Sequence, residues 1–278
     1  MTKEAAQIDT TYDQLTTAYV DKLDRYQAQR LALQLIAERG VIKDHGKILS
    51  WSDFNENPDP LINMLLARIL VDKIDRKYLY NHAASQIAVI SIENSAGYLA
   101  SEVSRQVERV FNLYRPPRII RVRKSTDGSL PSPAMGEIIA HTTVTPITSN
   151  NIPRHLVGSI SKVDVPYFLN TRSLLAVDDF KATGDTLRGG IELGFELLNK
   201  AGIPTADLTV IPLAGLGKPQ QYEMISVSTR GARILDSITA LDVHFWPDRS
   251  QGKVFIEANG DGPLVMERAR IENFALLE

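Results

Sequence analysis

Apolar positions along this chain gather into short unbroken runs, each closed by turn residues and followed by a stretch of helical period. Ile87–Ile92 (IAVISI) is one such run, and its length and lack of polar interruption fit a buried parallel strand. It leads through Glu93-Asn94-Ser95-Ala96-Gly97 into a segment with Leu99, Val103, Val107 and Val110 on one helical face, where Ser95 is the expected N-cap. Arg118–Lys124 (RIIRVRK) is strand-like, with Pro116 and Pro117 closing the helix before it. Leu174–Val177 is a further buried strand; after it come Asp178 and Asp179, the small-residue turn Ala182–Thr186, and a helix over Thr186–Lys200. That helix turns Ile191, Phe195 and Leu198 inward and ends at Ala201-Gly202-Ile203-Pro204. Asp207–Leu213 reads as the next strand and Ala214–Pro219 as the loop after it. Alternating strand and helix from Ile87 onward predicts an α/β fold, a parallel sheet wrapped by helices through right-handed crossovers.

The flanking regions follow other patterns. Asp9 to Arg39 reads as one helix, with Leu15, Tyr19, Leu23 and Tyr26 at four- and three-residue steps and Leu31–Ile36 continuing the apolar face to Gly40. Lys47–Pro60 (KILSWSDFNENPDP) is rich in Asn, Asp and Pro and is expected to be a loop. Its Asp59-Pro60 should open a helix carrying Leu61, Leu65 and Ile69. The loop's Trp51, Phe54 and Asn residues either pack as a capping loop or present an apolar platform with amides to a flat heterocycle. Ser125 to Asp164 is a long Ser/Thr/Pro/Asn-rich insert, with alternating stretches at Ile138–Val144 and His155–Ser161 suggesting a β-ribbon around SNNIPR. Long inserts of this kind are often lids. His141 and His155 are expected to be exposed strand residues without a catalytic part. The tail adds a strand at Lys253–Glu257 and a short helix near Val265–Leu276.

Composition narrows the class of molecule. A chain of 278 residues, 44% hydrophobic and 23% charged, can form one large or two small globular domains. A net charge of −2 argues against a nucleic-acid surface spread over the protein. Without cysteine there is no disulfide, thiolate nucleophile or Cys-ligated metal, which suits a reducing compartment. The N-terminus, MTKEAAQIDTTYD, lacks the apolar core of a signal peptide, and no run is long enough to span a bilayer. The expectation is a soluble cytoplasmic protein without a membrane partner.

The candidate chemistry lies in Ser173–Gly190, SLLAVDDFKATGDTLRGG. A strand, an acid pair, a turn of successive backbone N–H groups and a helix N-terminus form an anion-holding arrangement at the carboxyl end of an open sheet. Carboxylates repel a phosphate, so the acid pair is better suited to sugar hydroxyls or a metal ion beside it.

This stretch resembles the phosphoribosyl-diphosphate (PRPP) signature of type I phosphoribosyltransferases, a hydrophobic strand, two acids and a Thr-Gly-x-Thr loop. Four further places resemble that family. IENSAGYLA is similar to the pyrophosphate loop of its xanthine branch, Arg123-Lys124 followed by Ser125 to the basic element after its third strand, and Ala232–Val243 to its last strand. The Ser, aromatic, Asn and Asp-Pro pattern of Lys47–Pro60 resembles the base-contacting hood loop of bacterial xanthine phosphoribosyltransferases. The resemblance implies an N-terminal helical extension (1–45), a phosphoribosyltransferase-like domain (46–243) with a hood and a lid at about 125–164, and a C-terminal extension (244–278).

It also implies transfer of ribose 5-phosphate from PRPP to a purine-like base, with Mg²⁺ as cofactor and a homodimer as the assembly. By the same resemblance Asp178 and Asp179 would bind the ribose hydroxyls and the metal ion. Lys181, Ala182, Thr183, Gly184, Asp185 and Thr186 would cradle the 5′-phosphate. Ser95, Ala96, Gly97, Arg123 and Lys124 would hold the diphosphate, with Lys124 joining the acid pair as catalytic. Ile48, Phe54, Asn55 and Lys218 would face the base. Lys218 stands several residues beyond the place where the xanthine branch carries its base-reading lysine, which leaves the acceptor open. Ala182 stands where some purine-salvage relatives place an acid. A PRPP-sensing regulator on the same fold is the alternative; the sequence offers no recognisable winged helix for one.

Overall fold

The computed structural model describes residues 17–39, 42–44, 49–51, 59–79, 83–93, 96–125, 136–144, 154–181, 184–217, 231–248, 250–258, 262–267 and 270–271. Its centre is a ten-stranded sheet ordered β12-β11-β10-β8-β7-β3-β4-β6-β5, with β9 also paired to β8. The strands are β3 (Ile87–Glu93), β4 (Arg118–Ser125), β5 (Glu137–Val144), β6 (Arg154–Ser161), β7 (Ser173–Lys181), β8 (Thr209–Gly217), β9 (Arg233–Ile234), β10 (Ile238–Asp248), β11 (Lys253–Ala258) and β12 (Leu264–Val265). The run β10-β8-β7-β3-β4 is parallel throughout, as the apolar runs predict. A separate small sheet joins β1 (Ile42–Asp44), β2 (Leu49–Trp51) and β13 (Arg270–Ile271).

Helices cover both faces, as a parallel sheet requires. On one face lie α1 (Arg25–Arg39), α2 (Pro60–Lys73) and α3 (Ala96–Val110), whose apolar sides share a core with Val89, Leu175, Val177, Ile211 and Leu213. On the other, the short α4 (Val165–Phe168) and the long α5 (Asp185–Lys200) pack over Ala88, Ile90, Ile92, Leu174 and Ala176. The division follows the pleat, because alternate residues of β3 and β7 enter opposite cores. Among the described residues no helix is long and apolar enough to cross a membrane.

Local chemistry explains the helix ends. Asp59 caps α2 by accepting from the N–H groups of Leu61 (2.9 Å) and Ile62 (3.3 Å), with Pro60 in the first turn. α5 closes as expected at Gly202, φ +76°, where Gly202 N–H donates to Asn199 O and Ile203 N–H to Leu198 O. These two bonds form a Schellman motif.

Several expectations need correction. The long N-terminal helix is broken at 21–24, because Asp24 and Gln27 form a reciprocal capping box (2.8 and 3.0 Å) that starts α1 afresh at Arg25. Tyr19 and Tyr26, expected on its apolar face, are 53% and 59% exposed; the buried face is Ala28, Ala32, Leu33, Leu35, Ile36 and Ala37. Within the expected loop Lys47–Pro60, Leu49–Trp51 is a strand antiparallel to β1. β7 does not stop before the acids but runs through them to Lys181.

β8 likewise continues through the expected loop Ala214–Gly217, being paired with β7 on one side and β10 on the other. Its small residues answer crowding: a Cβ at Gly215 would stand 3.0 Å from Asp179 O, and one at Gly217 would stand 2.4 Å from Thr239 Cγ2. The last predicted strand is divided into β9 and a longer β10 that reaches Asp248. The C-terminal helix expected near Val265 is absent from the described residues there. Leu264–Val265 instead pairs antiparallel with β11, and Arg270–Ile271 pairs parallel with β1. Backbone partners offered by waiting edge strands outweigh a weak helical pattern. The ribbon expected within 125–164 is present as β5–β6, and β6 pairs antiparallel with β4 as part of the main sheet. The rest of the expected lid, 126–135 and 145–153, lies outside the described residues.

Candidate functional site

Chain order and sheet order together select one place in the fold. From β3 the chain passes through α3 to β4 on one side; from β7 it passes through α5 to β8 on the other. Neighbouring β3 and β7 therefore form a topological switch point, where departing connections leave a crevice at the carboxyl ends of the strands. The register sets those ends level: Ser91 lies beside Val177, and Glu93 beside Arg123.

Most of the predicted anion-facing residues that are described converge on this edge. Asp178 and Asp179 are the sixth and seventh residues of β7, and Lys181 ends it. Asp178 is 5% exposed and its neighbour Asp179 is half-buried. The Asp179 N–H donates to Asp178 Oδ1 at 3.0 Å, which fixes the orientation of the buried carboxylate. Gly184 then takes φ +81°, a left-handed conformation that glycine reaches without a Cβ penalty, and turns the chain into α5. Asp185 and Thr186 form the first residues of that helix, and Asp185 is buried. On the β3 side Ala96 and Gly97 open α3, and Arg123 and Lys124 close β4, with Arg123 exposed.

Ala182, Thr183, Ser95, Ile48, Phe54, Asn55 and Lys218 lie outside the described residues, as do the side chains of Lys124 and Lys181. The base-facing set is thus not described at all, whereas much of the set assigned to PRPP is.

α5 approaches the switch point closely. A Cβ at Gly190 would stand 2.6 Å from Ile92 Cδ1, and one at Gly194 would stand 2.2 Å from Ile90 Cδ1. The helix following β7 therefore lies directly on β3, and its N-terminus is held beside both strand ends. N-terminal N–H groups and the helix dipole favour an anion there.

Two side-chain features escaped the sequence reading. Arg188 Nη2 donates to Asp185 Oδ1 at 3.0 Å; the Asp-x-x-Arg spacing one helical turn apart was the available signal. Phe180, two residues past Asp178, lies with its ring 6.3 Å from that of Phe245 on β10, and nothing in the linear sequence brings these two together.

As for a metal ion, no group of three or more His, Cys, Asp or Glu able to hold one occurs among the described residues. A Mg²⁺ ion that keeps its waters and is shared between one or two carboxylates and substrate phosphates needs no such group.

No family model matches the sequence, and no curated protein matches it. Solved structures do overlay on it. Adenine phosphoribosyltransferase of Trypanosoma brucei, in complex with AMP, pyrophosphate and ribose 5-phosphate, is 12% identical, with a TM-score of 0.43 over 76% of this chain and 79% of that one. The Saccharomyces cerevisiae enzyme, with an imino-altritol bisphosphate and adenine, is 13% identical, with a TM-score of 0.43 over 75% and 98%. APRTase of Giardia lamblia, with 9-deazaadenine, is 13% identical, with a TM-score of 0.41 over 78% and 99%.

Proposed function

We propose that this protein is a phosphoribosyltransferase that moves ribose 5-phosphate from PRPP to a ring nitrogen of a purine-like base and releases diphosphate. The observation that carries the reading is the position of AVDDFKATGDT. The motif resembling a PRPP signature runs from β7 into α5 at the switch-point crevice, where an open α/β sheet takes its ligand.

In this reading the N–H groups of the first turn of α5 hold the 5′-phosphate, together with the Thr183 and Thr186 hydroxyls. Ala96, Gly97, Arg123 and Lys124 face the diphosphate. Asp178 and Asp179 accept from the ribose hydroxyls and stabilise positive charge growing on the sugar as the bond from C1 to the diphosphate oxygen breaks. The electron pair of that bond leaves with diphosphate, and a base nitrogen supplies the pair for the new one. Mg²⁺, held by Asp178 and Asp179 together with the substrate, would neutralise charge on the departing oxygens. With alanine at position 182, catalysis rests on positioning and electrostatics instead of a side-chain base at that place.

The base would meet the hood residues Ile48, Phe54 and Asn55, and Lys218, with the Phe180–Phe245 pair as an apolar wall at the same edge. By motif the chain resembles the xanthine branch; in this reading its role is purine salvage and its form a cytoplasmic homodimer. Mixing the protein with PRPP, Mg²⁺ and a panel of purines and other bases, and measuring diphosphate release, tests the proposal. Turnover with at least one base is expected. Tight PRPP binding without turnover on any base would replace it with the PRPP-sensing reading.

A further inference from the structure

At the amino end of the strands, away from the switch-point crevice, the sheet ladder lapses. Leu208 O accepts from Arg233 N–H and Val210 O from Leu235 N–H, at 2.8 and 2.9 Å. Next in that alternating series comes Pro212, which has no N–H to give a neighbouring strand. β9 ends at Ile234, β10 takes over at Ile238 against Leu213, and 235–237 cross the gap as irregular chain. A cavity of about 380 Å³ opens at this step, a volume in the range of small-molecule sites. Tyr78, in its wall, accepts through its carbonyl from the hydroxyl of Ser173, the first residue of β7 (3.1 Å). Asp178 stands roughly 17 Å further along that strand. The cavity and the crevice are separate places.

Its walls combine the Tyr78 ring and the side chains of Ile211 and Ile238 with four charged residues, two of each sign. Two of these charges are committed. Lys73 Nζ donates to Thr239 O and Ala240 O (2.6 and 3.1 Å), and Asp75 is ion-paired with Lys77. Arg233 rests its guanidinium over the Tyr78 ring, 5.6 Å from the centroid. Among the described residues Arg233 has no acidic partner and Asp236 no basic one. A simple anion drawn to Arg233 would meet the Asp236 carboxylate, and a simple cation would meet the reverse. A molecule carrying both charges answers both, and an apolar remainder suits Ile211 and Ile238.

We propose that this pocket binds a free amino acid with an apolar side chain. Arg233 holds the ligand's carboxylate through its forked N–H donors, and Asp236 accepts from the ammonium. Ile211, Ile238 and the Tyr78 ring receive the side chain. The proposal stands apart from the transferase reading, since no residue is shared between the two sites.

Calorimetry on the full chain tests it, with L-leucine and L-phenylalanine as probes. Isocaproate, which is leucine without its ammonium, isoamylamine, which is leucine without its carboxylate, and inorganic phosphate serve as single-charge arms. At least one of the two amino acids is expected to bind at millimolar concentration or below, and each single-charge arm to bind about tenfold or more weakly. Arg233→Gln and Asp236→Asn should each weaken the amino acid by a similar factor, while Arg233→Lys, which keeps the charge, recovers part of the loss. The single-charge arms use the parent protein, so a folding defect in a variant does not shelter the proposal. No heat from either amino acid at millimolar concentration overturns it, as does binding that both variants leave unchanged. Phosphate or isocaproate binding as tightly as leucine, lost in Arg233→Gln but indifferent to Asp236→Asn, makes the pocket a plain anion site and overturns it too. Failure of PRPP to bind would sink the transferase reading and leave this pocket standing.

Discussion

β3–α3 and β7–α5 each run from a central parallel strand into a helix whose N-terminus faces the same edge, yet they seat their helices by opposite steric means. α3 brings large side chains, Leu99, Val103 and Val107, onto a face where β3 presents Val89 and Ser91. α5 brings Gly190 and Gly194 onto the face where β3 presents Ile90 and Ile92. Bulk comes from the helix in one unit and from the strand in the other. A helix seated on glycines stands close to the sheet and has little latitude in height, so the N-terminus of α5 is fixed relative to the acids of β7. The unit with the charged turn is also the one with the tight seat.

The comparison can be broken at its chemical end first. Asp178→Asn combined with Asp179→Asn should cut diphosphate release about a hundred- to a thousandfold, the scale of losing groups that stabilise transition-state charge. No comparable kinetic loss is expected from substitutions on the apolar face of α3 that leave the fold intact. Unchanged turnover would move the reacting centre away from β7.

Next comes the steric contrast, read by urea unfolding. Leu99→Ala should cost about 2–5 kcal/mol by leaving a cavity under α3. Gly194→Ala should cost about 1–3 kcal/mol by the reverse mechanism, overpacking against Ile90. Ile90→Val removes the Cδ1 that an added methyl would meet, so in the Gly194→Ala background it should recover part of the loss. If it instead adds its own cost in full, the close seat of α5 is not what limits the position.

Smaller effects lie at the helix ends of the other face. Asp59→Ala removes the α2 cap and the contact from Arg39 Nη1 at 2.8 Å, and should cost about 1 kcal/mol. Lys73, in the last turn of α2, donates to Thr239 O (2.6 Å) and Ala240 O (3.1 Å). Burial pushes its pKa below the ordinary 10.5, with Asp242 opposing the shift. Between the lowered value and 10.5 the unfolded chain binds more protons than the folded one, so this group makes stability rise with pH across that window. Lys73→Met should flatten the rise and change stability near neutrality by no more than about 1 kcal/mol. A steeper pH slope in the variant would contradict the burial argument.

What could be read beforehand divides along physical lines. β3 and β7 were legible because uninterrupted apolar runs such as IAVISI have few other uses. The α2 start was legible in Asp59-Pro60, because that chemistry is local. β8 is only partly legible, because Ala214–Gly217 resembles a loop until Asp179 and Thr239 are seen crowding it from either side. The two-residue strands β12 and β13 carry almost no propensity of their own; their partners Phe255 and Lys43 decide them. In the site, the acids and the Gly184 turn announced themselves in one stretch of sequence. Phe180 and Phe245 meet only through the order of the strands.

The pairing of β13 with β1 has a consequence for how the molecule is made. Lys43 emerges well before its partner Arg270, with the whole ten-stranded sheet encoded between them. The small sheet must therefore wait with one edge open until β13 has been made, and it closes only after a long-range search. Until then the exposed edge of β1 is a place where a chaperone, or another nascent chain, could pair in place of β13.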